Sequence, residues 1–584
     1  MSRKMSQLFR RLCIASAALA AVAACSHPQP QPAPAPSAPS SGAPATPVET
    51  KPPAADPYAA IDEAGKAITA DVLREQIAKL SADEFEGRGP TTKGDIAARA
   101  WLVEQLKAMG YEPGGGDNQW QQPVDLVGIK SEMPPSWSFT RGGKSLAFKW
   151  SDQYIAGGGT QNERAAIKNA EVVFVGYGIQ APEYGWDDFK GKDLRGKILL
   201  MLNNDPDWDP SLFAGNTRLY YGRWSYKYES AARQGAAGAI IIHTRPSAGY
   251  PFQVVQTSWS GEKFELPAGS EPRIQIKAWV TEDAAQKLAT FAGKDLAQLV
   301  ESAHHKEFQP VPLGVTTSLA FTNKITHNKS GNVYGLLRGS DPTLSKELVV
   351  FSAHLDHLGI GKPDATGDKI YNGALDNATG CSQVLAIARA LKALPTPPRR
   401  SVLILFVTAE EQGLLGSQYF AAHPTVPAGK IAADINYDGG DIWGRTRDVT
   451  YVGKGKSNLD VLVDEYAARQ HRTVKADQFP DRGTFYRSDQ FSFARIGVPS
   501  VYLHTGTDFI DRPPGWGREQ VEGFENRNYH QPSDQLRPDW NFDGMIEDAR
   551  LGLAVGVRVA NADQLPAWTP GDEFEAARKA AQAQ

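Results

Sequence analysis

The sequence predicts an α/β fold: a central mixed, mostly parallel sheet flanked by helices, with a β-rich segment inserted ahead of most of its strands. Two observations carry this. After Thr326, apolar runs of strand length alternate with stretches of helical spacing, the pattern that builds parallel sheets. Over residues 152–312, by contrast, strands outnumber helices. The 584 residues exceed one ordinary domain, and 41% hydrophobic with 22% charged residues is the composition of a globular chain, so two folded domains are expected.

Residues 1–24 place Arg3, Lys4, Arg10 and Arg11 around and before an apolar stretch too short to span a bilayer, the arrangement of a signal peptide. Val22, Ala23 and Ala24 precede Cys25 in the pattern of a bacterial lipobox, which implies cleavage before Cys25 and lipid attachment to its sulfur. An ordinary secretory cut after Ala24 is the alternative. Ser26 rather than Asp favours the outer membrane, facing the periplasm or the cell surface, and the bare Arg10-Arg11 pair favours the general export route. Residues 25–57 are almost wholly Pro, Ala, Ser, Gln and Thr and read as an extended tether unable to bury a core. With Cys13 in the signal and Cys25 lipidated, Cys381 is the cysteine left, and no intrachain disulfide is expected.

Residues 69–151 begin with helices. DVLREQIAKLS is one; GDIAARAWLVEQLKAMG is the next, with Ala98, Trp101, Leu102 and Gln105 at helical spacing and Gly110 as its stop. The loop EFEGRGPTTKG between them, with Glu86 and Arg88, reads as structural. In 152–312, AEVVFVGYGI, GKILLMLNND, GAIIIHT and RIQIKAWVT read as strands and SYKYESAARQGA as a helix. Burial in that β core is the expected fate of Tyr177, Trp186, Trp208 and Trp224. Residues 313–565 supply the strands GNVYGLLRG, ELVVFSA, SVLILFV, KIAADINY and VPSVYLH with helices between them. GTDFIDRPPGWGREQVEGFENRN is expected to be a loop over the site, where Arg512, Arg518 and Arg527 could grip a carboxylate and Asp508, Asp511 and Glu525 an amine, unless solvent takes them. Residues 566–584 are a C-terminal tail.

The net charge of −4 and the lack of any Lys/Arg stripe interleaved with aromatics exclude nucleic acid as an expected partner. The chemistry lies in five segments, AHLDHLG, GALDNATG, TAEEQGLLGS, INYDGG and NYHQPSDQ, in that order. His354 follows an apolar run and would emerge at a strand's C-terminal edge, where open α/β sheets bind ligands. Asp376 sits in a loop before a helix. Glu410 and Glu411 end another apolar run, and two adjacent carboxylates there are costly without compensating cations. Each residue alone has a plain reading: Asp376 as a helix cap, Asp438 as a turn residue before Gly439 and Gly440, His530 as an ordinary histidine. All five in order point to a metal centre instead. Cys381 has no motif around it and reads as a small core residue.

These motifs resemble the zinc aminopeptidase family with co-catalytic metals, which includes secreted bacterial aminopeptidases, glutamate carboxypeptidase II and the transferrin receptor. The likeness runs from about Ser81 to about Ala562. It implies the zinc exopeptidase fold over 69–151 and 313–565, with 152–312 as a protease-associated domain. It also implies two Zn²⁺, one on His354 and Asp438, the other on Glu411 and His530, with Asp376 bridging. A hydroxide shared by the ions would be the nucleophile, its parent water's pKa lowered toward ~7, and Glu410 the general base. Asp356 is expected to accept the second N–H of His354. Tyr529 is a candidate donor to the oxyanion, with Tyr486 as its competitor. The family's usual histidine after Ser488-Asp489 is here Gln490. A peptide substrate follows, with an aminopeptidase as the leading reading and a carboxypeptidase or a glutaminyl cyclase-like transferase as alternatives; the sequence leaves the oligomeric state open.

Overall fold

Leu348–His354, Ser401–Val407 and Ile431–Asn436 are strands buried at every position, as their continuous apolar runs require of strands covered on both faces. They come from a computed structural model that describes residues 56–583; the signal peptide, Cys25 and nearly all of the Pro-rich tether lie outside the described residues. Strand 348–354 lies between 401–407 and 431–436, parallel to both, and Ser500–His504 extends the parallel set beyond 431–436. Antiparallel neighbours close the two sides: the end of Val311–Leu337 pairs with 401–407, and Asp448–Val452 with 500–504. The sheet is therefore mixed and mostly parallel.

Helices cover both faces. Thr379–Lys392 and Asp543–Asn561 pack together and on the 348–354 strand, and Ala70–Leu80 packs on the first of them. At Gly556 the crossing is close enough that a Cβ would lie 2.3 Å from the Phe351 ring, so glycine is what lets helix and strand approach there. Because the four parallel strands run the same way, their C-terminal ends share one edge. His354, Glu410, Asp438 and Thr505 stand at or just past those ends.

The β-rich segment forms its own row of parallel strands, Arg164–Phe174, Ile198–Leu202, Gly238–His243 and Ile276–Thr281, with Tyr154–Gly158 antiparallel at one side. Its core is separate, built on Trp137, Phe174, Ile240 and Val280 among others. Strand pairing carries this segment back to Gln121, ahead of residue 152: Gln121–Glu132 and Ser136–Arg141 pair with Val311–Leu337, and Lys144–Lys149 with Ser136–Arg141. These strands are half-exposed and alternating, as in Ser136–Arg141, which buries Trp137 and Phe139, and so lack the apolar runs that mark their neighbours.

Val311–Leu337 is 27 residues long and is hydrogen-bonded first to the β-rich segment and then to strand 401–407 of the parallel set. One ladder thus runs through both parts, and the chain from Asp56 onward forms one compact unit with two main cores. One segment differs from expectation. The Gly/Pro-rich stretch before His530 contains a helix, Trp516–Arg527, which buries Gly517, Val521 and Phe524; three residues at i, i+4 and i+7 are enough to seat it despite weak propensity. The C-terminal tail is docked: Trp568 and Phe574 are buried, and Arg578 donates to the Ile431 carbonyl at 2.9 Å. Tyr177 and Trp186 are buried in the β core, and Trp208 and Trp224 are half-buried against its two clusters, Trp224 also lining a cavity beside Glu410. Among the described residues no helix is long and apolar enough to cross a membrane.

Candidate metal centre

The five candidate ligands converge. His354 ends its strand with Nδ1 3.2 Å from the Asp356 carbonyl oxygen, which leaves Nε2 3.3 Å from both Asp376 Oδ1 and Asp438 Oδ1. On the other side of Asp376, Oδ2 is 3.3 Å from His530 Nε2, and that nitrogen is 3.0 Å from Glu411 Oε2. Asp376 therefore offers one oxygen to each cluster. One imidazole nitrogen facing two carboxylate oxygens is poor hydrogen bonding, and His530 Nε2 is buried without a hydrogen-bond partner among the described residues. It is good ligand geometry: bonds of ~2.0–2.1 Å in a tetrahedral arrangement put neighbouring ligand atoms about 3.3 Å apart. The donor set of imidazole and carboxylate fits a divalent ion at these positions.

The backbone around the ligands is pinned by groups the motifs did not advertise. Asp534, fully buried, accepts the N–H of Leu375 at 2.8 Å and of Asp376 at 3.0 Å. Asn377 accepts from the Gly380 and Gly439 amides at 2.9 Å each and donates to the Tyr437 carbonyl, tying the Asp376 loop to the Asp438 loop. Arg88, 1% exposed, donates to the carbonyls of Leu80, Leu355, Asn372 and Gly373, which is the structural role its loop suggested. Ser258, from the β-rich segment, bonds His530 Nδ1 at 2.7 Å, so the opposite nitrogen is the one turned to the carboxylates. Gln490 stands away from this centre and bonds the Asn436 amide and the Phe485 carbonyl.

His357 was left without a role by its sequence. Its Nδ1 lies 2.7 Å from Glu411 Oε1 and 4.0 Å from Asp376 Oδ2. By proximity it could replace His530 in a triad with Asp376 and Glu411. The 2.7 Å contact is a hydrogen-bond length, shorter than the 3.0 Å between His530 Nε2 and Glu411 Oε2, and both His357 and His530 have a buried Nε2 without a hydrogen-bond partner among the described residues.

The expectation for Asp356 needs correction. Its carboxylate is 3.9 Å from His354 Nδ1 and instead accepts the backbone amides of Glu410 and Glu411 at 3.0 and 3.4 Å; the His354 ring is held by the Asp356 carbonyl. The reason is the ladder. Leu355 N–H continues the strand pairing to the Val407 carbonyl at 2.8 Å, which puts the next residue opposite the Glu410 turn. Tyr486 is also no competitor for Tyr529: its hydroxyl bonds Glu573 at 2.7 Å. The Tyr529 ring lies against His530, centroids 3.9 Å apart and tilted by 31°, and its hydroxyl accepts from Arg487 at 3.3 Å. Burial pushes the Tyr529 phenol well above its usual range, so it keeps its proton at neutral pH. The charged residues of the segment before His530 are largely engaged: Asp508 pairs with Arg447, Glu525 with Arg482, and Arg518 bonds the Gln478 carbonyl.

Glu410 differs from Glu411. The Glu411 carboxylate is shared between His357 and His530, whereas Glu410 lines the two cavities that meet at the centre. Burial first, and then the carboxylates of Glu411, Asp438 and Asp489, push Glu410 well above the usual carboxylate range, with His354 opposing. Divalent ions at the centre would oppose it further.

Residues 332–554 match the family described as Peptidase family M28. A protein of Aspergillus oryzae named "probable leucine aminopeptidase 2" is 26% identical over 240 residues, which cover 38% of this chain and 43% of that protein. Aminopeptidase YwaD of Bacillus subtilis is 25% identical over 370 residues, 62% of each chain. The chain thus spans about half the length of the curated relatives it matches. Among solved structures, the aminopeptidase from Aneurinibacillus sp. strain AM-1 shares the fold, with a TM-score of 0.51 at 17% identity, over 86% of this chain and 97% of that one. The stretch that matches the model of peptidase family M28 carries His354, Asp376, Glu410, Glu411, Asp438 and His530.

Proposed function

We propose that the protein is a zinc-dependent exopeptidase, an aminopeptidase, that holds two zinc ions, one by His354, Asp438 and Asp376 and one by Glu411, His530 and Asp376. The single observation that supports this most is the placement of Asp376, one oxygen 3.3 Å from each imidazole nitrogen. Bound there, the ions supply a Lewis acid for the scissile carbonyl and lower the pKa of a coordinated water. The chain does the rest. Glu410, free of a ligand's duty, takes the proton from the attacking water and delivers it to the leaving amine. Tyr529 offers its hydroxyl to the developing oxyanion, held in place by His530 and Arg487. Asp356 aims the Glu410 turn by fixing its amide. The β-rich insertion, a protease-associated domain in this reading, closes one side of the cleft and steadies His530 through Ser258.

The test is a panel of peptides with free and acetylated N-termini, assayed with and without a chelator. Free peptides are expected to be cleaved at least tenfold faster than acetylated ones, and chelation to stop both. Equal rates on the two would sink the aminopeptidase reading, and chelator-resistant hydrolysis the metal one.

We propose further that Cys25 carries a lipid that tethers the enzyme to the bacterial envelope through the Pro-rich segment. The full chain expressed in a Gram-negative host should partition into the detergent phase and Cys25→Ala into the aqueous phase; aqueous partition of both would refute the anchor.

A further inference from the structure

Tyr250, Arg487 and Tyr529 line both halves of the cleft beside Glu410 and stand between them. The half on the Asp438 side is apolar and acidic: Trp443 and Phe479 face it together with Asp438 and Asp477, and its Arg482 is already paired with Glu525. The half on the His530 side is a cavity of about 160 Å³ walled by the β-rich segment, and it contains Arg223 and Lys263.

Neither cation has an acidic partner. Arg223 Nε is buried without a hydrogen bond, and the Lys263 ammonium donates to the Ser258 carbonyl at 2.7 Å; among the described residues neither forms an ion pair. Burial, with Arg487 adding to it, pulls the Arg223 guanidinium down to about 10, and burial pulls Lys263 down to about 8, so both remain mainly charged at neutral pH. Desolvated cations without counter-ions are costly and are retained where something anionic completes them. The carboxylates of Glu410 and Glu411 line the same cavity, and with Asp356 they act on these cations through space, but neither Arg223 nor Lys263 is within ion-pair distance of any of them.

We propose that Arg223, assisted by Lys263, binds the free C-terminal carboxylate of a short peptide, so that dipeptides with an unblocked C-terminus are the preferred substrates. The inference rests on the exopeptidase reading above. It also sets the direction of the chain in the cleft: the ammonium end lies toward Asp438 and Asp477, the carboxylate end toward Arg223, and the scissile carbonyl between them at Glu410. Arg223 is part of the wall of the cavity that adjoins Glu410, so the residue just beyond the scissile bond would bring its carboxylate there and a longer peptide would carry its carboxylate past Arg223.

The test uses the zinc-loaded full chain with Leu-Leu, Leu-Leu-amide and tetra-leucine. Leu-Leu should exceed Leu-Leu-amide and tetra-leucine in kcat/KM by about 10- to 100-fold, the size of one or two hydrogen bonds to a charged group. Arg223→Gln should bring the acid-to-amide ratio near one, mainly by raising KM for the acid, and Arg223→Lys should restore part of it. The Arg223 side chain makes no hydrogen bond within the described residues, so its loss breaks none, and Arg223→Lys keeps a cation beside the Trp224 ring that the guanidinium overlies at 5.7 Å; Lys263→Met, expected to lower the ratio less, is the second probe. A wild-type ratio of one, or an equal drop on acid and amide in Arg223→Gln, would overturn the inference while leaving the exopeptidase reading intact. Hydrolysis of none of the three would overturn both.

Discussion

Glu410→Gln is expected to lower kcat by about 10²–10⁴-fold, the range of a lost general base, with zinc content equal to that of the wild type. The substitution keeps the side chain's volume and removes only its ability to take a proton. Glu410 contacts neither imidazole, whereas Glu411 is within 3.0 Å of His530 and 2.7 Å of His357, so the neighbouring change Glu411→Gln should lose metal instead. Elemental analysis of both variants beside their steady-state rates checks the division of labour. If Glu410→Gln loses zinc in proportion to its activity, the two glutamates do not have separate roles.

Asp376→Ala should remove both ions and with them all measurable hydrolysis, because its carboxylate is the element the two clusters have in common. Loss of a ligand at one cluster, as in His530→Ala, should leave the other occupied. Thermal unfolding reports this without an activity assay: a ligand present at about 100 times its dissociation constant adds ~2.7 kcal/mol to the folded state. Zinc should therefore raise the wild-type melting temperature and leave that of Asp376→Ala unmoved. A variant that still takes up two equivalents of zinc would show that the ions do not share this carboxylate.

Three of the candidate ligands were legible before any coordinates because parallel strands bring their C-terminal ends to one edge. His354, Glu411 and Asp438 each sit within four residues of such an end, and the apolar runs that mark buried parallel strands are unambiguous in sequence. The half-exposed alternating strands of 121–149 carry no such signal and were missed, as was the short helix before His530, whose buried face is only three residues.

Around the centre the same contrast holds. Spacing alone put the Asp356 carboxylate on His354, two residues away; strand pairing from Leu355 to Val407 turns it to the Glu410 amide instead. Asp534 reaches Asp376 across 158 residues, and Ser258 reaches His530 across 272. Contacts between segments this distant leave no periodicity or local motif to read. Composition and spacing were therefore sufficient for the α/β class and for the strands that carry the candidate ligands, which follow from local preference and a shared strand direction, while the full candidate ligand set came from the family resemblance. The partners that orient those ligands, the position of His357, and the cationic half of the cleft depend on how the insertion and the loops pack, and packing is a property of the folded chain.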